Sequence, residues 1–397
     1  IYLDAYEGWY ALRDECFYGE DELVVGPDGK KIAPTGAPVE WVKEPSYFFR
    51  LSDYQDRLLE LYEQHPEFLG PHGARNEIIS FVKQGLRDLS ISRTSFKWGI
   101  PVPGDEQHVM YVWFDALANY LSALGFPDMD TPRAAFWPAD LHLVGKDIAR
   151  FHAIYWPAFL MAAGIDVPRR VFANGWWTIE GQKMSKSIGN VIDPRDLVSE
   201  FGLDAVRFFL LREVPFGGDS DLSRKALITR NNVELANDLG NLAQRTLSLV
   251  AKNCEGMIPE RGEASVEDTQ LLAQVAVLPQ LMASQMERCA LTDALEDVWK
   301  VIRACNAYID HQAPWALRKT DTVRMASVLR VLLDALRGIA TVLQPFMPQT
   351  MERMLDQLAV QPDERTLAAL ETALPAGRSL PAPQGLFPRY VEPEATA

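Results

Sequence analysis

Residues 141–156 read LHLVGKDIARFHAIYW and join a strand pattern directly to a helix pattern. Residues 141–145 form a short apolar run of strand type, and a helical pattern follows at once. Residues 109–114 and 170–173 are further runs of strand type. Strands that alternate with helices predict a mostly parallel sheet, in which ligands bind at the carboxyl ends of the strands. We therefore predict an α/β domain over residues 88–221.

The residues on either side of this domain carry different patterns. Before it, the turn-rich residues 26–29 predict a hairpin loop, and an apolar stripe predicts a helix over residues 52–64. After it, residues 222–373 are typical of long helices, and Pro345 and Pro348 should end the helix that carries residues 328–342. The apolar residues recur at helical spacing in two stripes: Val233, Ala236, Leu239, Ala243, Leu247 and Val250, then Val328, Leu332, Ala335, Ile339 and Val342. The proline-rich tail, residues 374–397, should run over the surface.

The composition limits the classes of function. The length of 397 residues indicates two or three domains. Of these residues, 48% are apolar and 23% are charged, which is typical of a globular protein. No apolar run approaches the roughly 20 residues of a membrane span, and no secretory signal is visible at the start, so we predict a cytoplasmic protein without a membrane partner. The net charge of −15 argues against non-specific binding of nucleic acid, but it does not exclude a local basic track.

Residues 183–190 spell KMSKSIGN and carry the clearest chemical signal. Two lysines three positions apart on a loop can reach the oxygens of a triphosphate, for which Lys is a compact point charge. Ser185, Ser187 and Gly189 supply hydroxyls and open backbone N–H groups, which also favour anions. The simpler alternative is a solvated Lys/Ser loop without a ligand.

Residues 183–187 match the KMSKS signature of class I aminoacyl-tRNA synthetases, and the rest of the chain resembles the methionyl-tRNA synthetases among them. Six further stretches carry this resemblance: residues 6–18 (YEGWYALRDECFY), 44–54 (EPSYFFRLSDY), 86–93 (LRDLSISR), 111–120 (YVWFDALANY), 142–156 (HLVGKDIARFHAIYW) and 239–245 (LGNLAQR). The resemblance implies activation of L-methionine by ATP with Mg²⁺ to give methionyl-adenylate, followed by transfer to tRNA(Met). The methionine carboxylate attacks the α-phosphate and pyrophosphate leaves, so cationic stabilisation is needed. By resemblance, Lys186 contacts the phosphates in the transition state and Lys183 supports it.

The same resemblance implies an α/β plus all-α architecture. Residues 1–87 would be a connective insertion, and residues 88–221 the second half of a class I Rossmann-type nucleotide-binding domain. Residues 222–373 would be a helical-bundle anticodon-binding domain, and residues 374–397 a tail.

The nucleotide side of the site is expected at a strand end. Gly145 and Asp147 open the helix after a predicted strand, and an acid placed there suits a ribose hydroxyl; the alternative role of Asp147 is an N-cap carboxylate. Trp177 precedes the signature and by resemblance borders the adenine, with an unrelated buried aromatic as the alternative. The predicted ATP-binding residues are Gly145, Asp147, Trp177, Lys183, Ser185, Lys186 and Ser187.

The methionine side is expected on the helix that follows. Ile148, His152 and Trp156 fall at i, i+4 and i+8, so they share one helical face. They could simply pack in the core, whereas the resemblance makes them one wall of a methionine pocket. Aromatic rings suit a polarizable thioether, which His152 and the hydroxyl of Tyr120 can also approach. The predicted methionine-binding residues are Trp113, Ala116, Leu117, Tyr120, Ile148, His152 and Trp156.

The helical region offers a candidate surface for the anticodon. Asn241 and Arg245 lie four apart on one face, and Pro314-Trp315 opens another helix with Pro at its first position. The resemblance implies that these four residues read the CAU anticodon, because Trp can stack on a splayed base while Arg and Asn bond its edge. Without the resemblance, Trp315 would be taken as a core aromatic.

Two features depart from the family pattern. The six histidines do not form the His-x-Gly-His signature, so we expect the first half of the nucleotide-binding fold before Ile1 and a chain that is inactive alone. Of the four cysteines, Cys16 is the only one in the connective insertion, and no Cys-x-x-Cys pair is present. One thiolate cannot hold a structural zinc, so we predict a zinc-free insertion and no disulfide framework. The short tail leaves no room for an appended dimerisation domain and predicts a monomer.

Two other functions stay open at the level of sequence. The missing His signature is compatible with a non-catalytic tRNA-binding protein, but such a protein has no use for the lysines of the signature. A synthetase of the same subclass for leucine, isoleucine, valine or cysteine is disfavoured by the aromatic pocket and by the lack of a large editing insertion.

Overall fold

The computed structural model describes residues 1–14, 16–20, 22–26, 29–179, 181–184 and 191–391, and it describes only the backbone of Tyr6, Cys16, Phe17 and Lys183. These residues form two compact units, Ile1–Asn174 and Gly175–Ala397. Strands and helices mix in the first unit, and helices dominate the second.

The first unit begins with antiparallel strands. Its elements, in chain order, are β1 (Tyr2–Ala11), β2 (Cys16–Tyr18), β3 (Val24–Val25), β4 (Lys31–Ile32), β5 (Glu40–Phe49), α1 (Gln55–Gln64), β6 (Leu69–Gly70), α2 (His72–Lys83), β7 (Leu89–Ser90), β8 (Ser92–Arg93), β9 (Pro101–Val102), β10 (Asp105–Met110), α3 (Val112–Ser122), β11 (His142–Gly145), α4 (Trp156–Ala163) and β12 (Val171–Asn174). Strand β1 pairs antiparallel with β2 and β5. Strands β3 and β4 pair antiparallel on either side of residues 26–29, which confirms the predicted hairpin, although Pro27 and Asp28 lie outside the described residues.

A parallel sheet forms where the sequence predicted it. Its strands are β11, β12 and β6 in that order, and both pairings are parallel. Val144 and Val171 are buried in the core beneath it, as their apolar character requires. A 3₁₀ turn over Lys146–Ile148 follows β11, and a π-helical turn over Phe151–Tyr155 then leads into α4.

The predicted strand over residues 109–114 is wrong in its second half. Strand β10 ends at Met110, and α3 begins at Val112. Short apolar runs do not distinguish a strand from a buried helix, and here Leu117 and Leu121 continue the run at helical spacing and are buried. The methionine-pocket candidates of this segment therefore lie on a helix.

The second unit contains a short sheet followed by a helical bundle. Its elements are β13 (Trp177–Ile179), β14 (Gln182–Lys183), α5 (Pro194–Phe201), α6 (Leu203–Arg212), β15 (Ser220–Asp221), α7 (Arg224–Arg230), α8 (Asn241–Asn253), α9 (Val266–Ala276), α10 (Leu278–Glu287), α11 (Leu291–Gln312), α12 (Pro314–Leu317), α13 (Thr322–Leu343) and α14 (Pro348–Gln357). A π-helical segment, Asn231–Gly240, joins α7 to α8.

Helix α13 forms the centre of the bundle, and every member of its predicted apolar stripe is buried. The first stripe holds from Leu239 onward but not at Val233, which is 49% exposed. The π-helical segment changes the phase of the turn there, so that Leu235 is buried instead. In the tail, residues 374–391 follow the surface of this unit, with Leu386 anchored in its core.

None of the described helices is both long enough and apolar enough to cross a membrane. The structure does not test the domain bounds at residues 87, 221 and 373, so they remain predictions.

Candidate functional site

An aromatic cluster in the first unit, the proposed methionine pocket, brings together the main methionine-binding candidates. The ring of Tyr120 on α3 lies 5.6 Å from that of His152 and 6.1 Å from that of Trp156. The ring of Trp113, two helical turns before Tyr120, lies 6.4 Å from His152 in an edge-on arrangement. Residues that are far apart in sequence thus converge, because α3 packs beside the π-helical turn after β11.

The two hydrogen bonds of the His152 ring determine which of its nitrogens carries the proton. Its Nδ1 lies 3.0 Å from the carbonyl oxygen of Ile148, and its Nε2 lies 2.8 Å from the hydroxyl of Tyr120. Because a carbonyl oxygen only accepts, Nδ1 carries the hydrogen, and Tyr120 donates to the free lone pair of Nε2. Both donor hydrogens are therefore used within the protein, so this arrangement does not support donation from either group to a thioether sulfur.

Burial keeps the pocket uncharged. Burial, and then the neighbouring His152, lower the pKa of His142 to about 4. Burial also lowers the pKa of His152, opposed by its hydrogen bond to Ile148, and burial raises the pKa of Tyr120. All three groups are neutral near pH 7. A neutral aromatic lining suits an apolar side chain better than a charged one.

Two buried polar atoms in this cluster have no hydrogen-bond partner among the described residues. They are Nε2 of His142 and Nε1 of Trp156. The ring of His142 lies 4.3 Å from that of Tyr120, so the first of these atoms belongs to the same aromatic cluster. Buried polar atoms without a partner are uncommon and mark places where a water or a ligand completes the site.

Sequence reasoning missed Phe151 as a pocket residue. Its ring stacks on that of Trp113 with centroids 3.9 Å apart and an interplanar angle of 13°. It also missed Trp137, whose ring lies 5.9 Å from that of Trp156. Phe151 lies next to His152 in the sequence, but a regular helix would point the two side chains in different directions. The π-helical turn is the local feature that the sequence pattern did not reveal.

The remaining methionine-binding candidates differ in their exposure. Leu117 is buried in the core beneath α3, Ile148 is half-buried against the same core, and Ala116 is exposed. Ala116 and Tyr120 lie four residues apart, so they share one face of α3. The role of all three candidates stays a prediction.

Gly145 and Asp147 lie at the carboxyl end of β11, where α/β sheets bind ligands. A Cβ on Gly145 would stand 2.5 Å from Oδ1 of Asp147, so the carboxylate folds back over this glycine and a side chain there would displace it. Gly145 itself is the N-cap of the 3₁₀ turn, and no side chain caps it. The alternative role of Asp147 as an N-cap carboxylate is therefore wrong, and its carboxylate is exposed.

The first signature lysine, Lys183, lies on a hairpin in the second unit. Strand β14 pairs antiparallel with β13, with Lys183 opposite Thr178. The side chain of Lys183 is not described, and Ser185, Lys186 and Ser187 lie outside the described residues. Trp177 is half-buried, and its ring lies 5.9 Å from that of Phe209. This packing accounts for part of its surface and leaves its predicted role at the adenine untested.

A second set of candidates meets on the helical bundle. The guanidinium of Arg245 lies 5.3 Å from the ring centroid of Trp315, which is 40% exposed. Asn241 is exposed one turn before Arg245, and Pro314 is buried at the first position of α12, as predicted. Sequence reasoning missed Asp310, whose carboxylate lies 2.5 Å from Nη2 of Arg245. Because 40% of its surface is exposed, Trp315 is not a core residue.

Within the described part of the chain, no group of three or more His, Cys, Asp or Glu residues could hold a metal ion. The side chain of Cys16 is not part of that description. The expectation of a zinc-free insertion stays a prediction.

Comparison with known proteins gives matches over the whole chain. Residues 1–247 match a family model described as tRNA synthetases class I (M), and residues 258–396 match one described as the anticodon binding domain of methionyl tRNA ligase. The methionine–tRNA ligase of Brucella suis biovar 1 is 56% identical over 393 residues, which cover 99% of this chain and 76% of that protein. The methionine–tRNA ligase of Rickettsia felis is 53% identical over 395 residues, which cover 98% and 76%. Mycobacterium tuberculosis methionyl-tRNA synthetase in complex with methionyl-adenylate superposes with a TM-score of 0.93 at 50% identity, covering 98% of this chain and 77% of that one.

This chain thus spans about three quarters of the length of these relatives. The matches do not confirm that a His-x-Gly-His segment is missing before Ile1, or that only the second half of a Rossmann-type domain is present. They give no support to the expectation that the chain is inactive alone, and this expectation is set aside.

Proposed function

Because this chain belongs to the methionine–tRNA ligases, a family of class I aminoacyl-tRNA synthetases, we propose that it activates L-methionine with ATP and transfers it to tRNA(Met). One observation carries the choice of amino acid. Trp113, Tyr120 and His152 form an uncharged aromatic pocket beside the carboxyl end of a parallel strand, which suits an apolar, polarizable side chain.

Methionine recognition would depend mainly on shape. The stacked rings of Trp113 and Phe151 provide a flat apolar wall, and Trp156 closes the pocket from α4. The hydrogen bond between Tyr120 and His152 holds both rings in place, so that they are positioned before the substrate arrives. Ala116, Leu117 and Ile148 complete the proposed set. Selection by shape gives moderate discrimination between amino acids of similar size.

The nucleotide would bind where β11 ends. Gly145 lets the backbone approach the substrate closely, and the exposed carboxylate of Asp147 can accept a hydrogen bond from a ribose hydroxyl. ATP enters as its magnesium complex and is part of the substrate. Lys183 and Lys186, with Ser185 and Ser187, would stabilise the negative charge that moves onto pyrophosphate as the methionine carboxylate attacks the α-phosphate. Trp177 would border the adenine.

The tRNA would be recognised at the helical bundle. Trp315 exposes part of its ring for stacking on an unpaired base, while Arg245 and Asn241 supply donors for the base edge. The ion pair with Asp310 holds the guanidinium of Arg245 over Trp315 in the free protein. Pro314 fixes the start of the helix that presents Trp315.

Four broader assignments accompany this proposal and stay predictions. They are the domain bounds, a zinc-free insertion, a monomeric state and a cytoplasmic location.

The test is ATP–pyrophosphate exchange by the complete gene product, followed by charging of tRNA(Met). We expect exchange that depends on methionine and is not supported by leucine, isoleucine, valine or cysteine at the same concentration. Binding of tRNA(Met) without any methionine-dependent exchange would favour a non-catalytic tRNA-binding protein instead.

A further inference from the structure

Strand β15 holds the hairpin that carries the first signature lysine. It runs parallel to β13, with Trp177 opposite Ser220 and Thr178 opposite Asp221. The backbones approach so closely that a Cβ on Gly175 would overlap the carbonyl of Gly218. This close packing fixes where the hairpin begins.

A single carboxylate oxygen then fixes how the hairpin turns. Oδ1 of Asp221 accepts the hydroxyl of Thr178 at 2.8 Å and the backbone N–H of Gly181 at 2.9 Å. Thr178 lies on β13, and Gly181 lies in the turn that leads to β14 and Lys183. Gly181 has φ of +74°, a backbone conformation that favours glycine, so this turn has a defined shape for the carboxylate to bind.

The neighbouring carboxylate of Asp219 supports strand β13 at its start. Oδ1 of Asp219 accepts the backbone N–H of Trp176 at 2.9 Å, just before β13 begins. Asp219 directly precedes β15 and Asp221 is its last residue, so two acids two positions apart secure two successive points of the hairpin beside the strand.

The location of Asp221 argues against a role in stability alone. Its hydrogen bonds are exposed, and exposed hydrogen bonds contribute little to the free energy of unfolding. The N–H of Gly181 and then the hydroxyl of Thr178 lower the pKa of Asp221, so that it stays ionised and keeps both bonds at neutral pH. An exposed acid that holds a turn next to a signature lysine with two hydrogen bonds is better explained by the need for a fixed position.

We propose that Asp221 is a positioning residue for the ATP site: its carboxylate fixes the turn at Gly181 and thereby the backbone from which Lys183 reaches the phosphates. The proposal rests on the function proposed above. Since a misplacement of about 1 Å in a catalytic group can cost on the order of 100-fold in rate, loss of this anchor should act on the chemical step.

The test compares Asp221→Ala with Asp221→Asn in ATP–pyrophosphate exchange by the complete gene product. Asp221→Ala removes both hydrogen bonds, and we expect kcat to fall about 10- to 100-fold. Asp221→Asn keeps an acceptor oxygen at the same position, so kcat should stay within about 3-fold of wild type. Thr178→Val removes one of the two donors and should give an intermediate loss. The dissociation constant for methionine should change less than about 2-fold in each variant, because none of the residues proposed to bind methionine belongs to this hairpin.

Asp293→Ala removes another exposed carboxylate of the same unit and is the matched control, with kcat expected to remain that of wild type. Thermal unfolding of each variant identifies any loss of fold. The proposal is overturned if Asp221→Ala keeps the wild-type kcat, if Asp221→Asn is as slow as Asp221→Ala, or if kcat, methionine binding and thermal midpoint all fall together. Absence of exchange in the wild-type protein would instead refute the proposed function.

Discussion

The hydroxyl of Tyr120 donates to Nε2 of His152 across 2.8 Å, and the other ring nitrogen of His152 donates to the carbonyl oxygen of Ile148. This relay joins α3 to the turn after β11. It positions two rings of the proposed methionine pocket without placing a charge there.

Tyr120→Phe should therefore weaken methionine binding without abolishing it. The substitution keeps the aromatic ring but leaves Nε2 of His152 buried without a partner, which costs about 1–3 kcal/mol and loosens the imidazole. We expect kcat/KM for methionine to fall about 10-fold, mostly through KM, with KM for ATP unchanged. Exchange kinetics measure both constants. Tyr54→Phe is a matched control, because Tyr54 lies outside the pocket. An unchanged KM for methionine in Tyr120→Phe would show that the hydrogen bond between Tyr120 and His152 does not contribute to methionine binding.

This pair also shows what the sequence could and could not predict. Spacing placed His152 on a helical face with Ile148 and Trp156, and the resemblance placed both Tyr120 and His152 near methionine. Their mutual hydrogen bond joins residues 32 positions apart, so no local pattern encodes it. Phe151 stayed hidden because a π-helical turn changes the phase of the side chains.

The fold was predicted best where a pattern is long or is bounded by clear turns. Helix α13 and strands β11 and β12 follow their apolar patterns. Residues 109–114 did not, because six apolar residues suit a strand and a buried helix equally. Nothing in the sequence distinguishes Asp310 and Asp221 from other acidic residues. Their contacts in the structure, with Arg245 for Asp310 and with Gly181 for Asp221, are what indicate their roles.

His142 should make the first unit sensitive to mild acid. Its pKa in the folded protein is about 4, below the ordinary value of 6.5, so the unfolded chain binds a proton that the folded protein rejects. Between these two values the unfolded state holds more protons, and the free energy of unfolding must fall as the pH falls. The full effect of this one group is on the order of 3 kcal/mol.

The measurement is urea unfolding at pH 7.0, 5.5 and 4.5, followed by fluorescence of the tryptophans near the pocket. His142→Phe should flatten the decline because it removes the titrating group, whereas His65→Gln, at an exposed histidine, should leave the decline in place. Equal pH dependence in wild type and His142→Phe would exclude His142 as the cause.

Lys186→Ala should affect the activation step far more than binding. The lysine stabilises charge that develops only in the transition state, so its loss should lower kcat of pyrophosphate exchange by about 100-fold or more. The dissociation constant for methionine, measured by equilibrium dialysis, should stay within about 2-fold. Lys319→Ala, at an exposed lysine of the helical bundle, serves as the control. A parallel loss of methionine binding would show that Lys186 acts before the chemical step.

Asp268 should be essential for the stability of the helical bundle. Burial by itself would raise the pKa of Asp268, but hydrogen bonds from Arg324, Tyr308 and Ser265 together hold it well below its ordinary value. The carboxylate is almost fully buried, and Tyr308 donates to it at 2.6 Å. Asp268→Ala leaves a guanidinium and a buried hydroxyl without their acceptor, so we expect a loss of about 3 kcal/mol in urea unfolding. A loss below about 1 kcal/mol would show that water replaces the carboxylate at little cost.

Trp315→Ala should separate tRNA recognition from amino-acid activation. A base stacked on an aromatic ring contributes about 1–3 kcal/mol, so the dissociation constant for an anticodon stem–loop of tRNA(Met) should rise at least about 5-fold. Methionine-dependent exchange without tRNA should stay at the wild-type rate, because activation precedes the use of the anticodon surface. Trp98→Ala is the matched control: Trp98 is 91% exposed and lies in the first unit, whereas the proposed anticodon residues belong to the second. If Trp315→Ala bound the stem–loop as tightly as Trp98→Ala, no base would stack on the exposed part of the Trp315 ring. The anticodon would then have to be read elsewhere on the bundle.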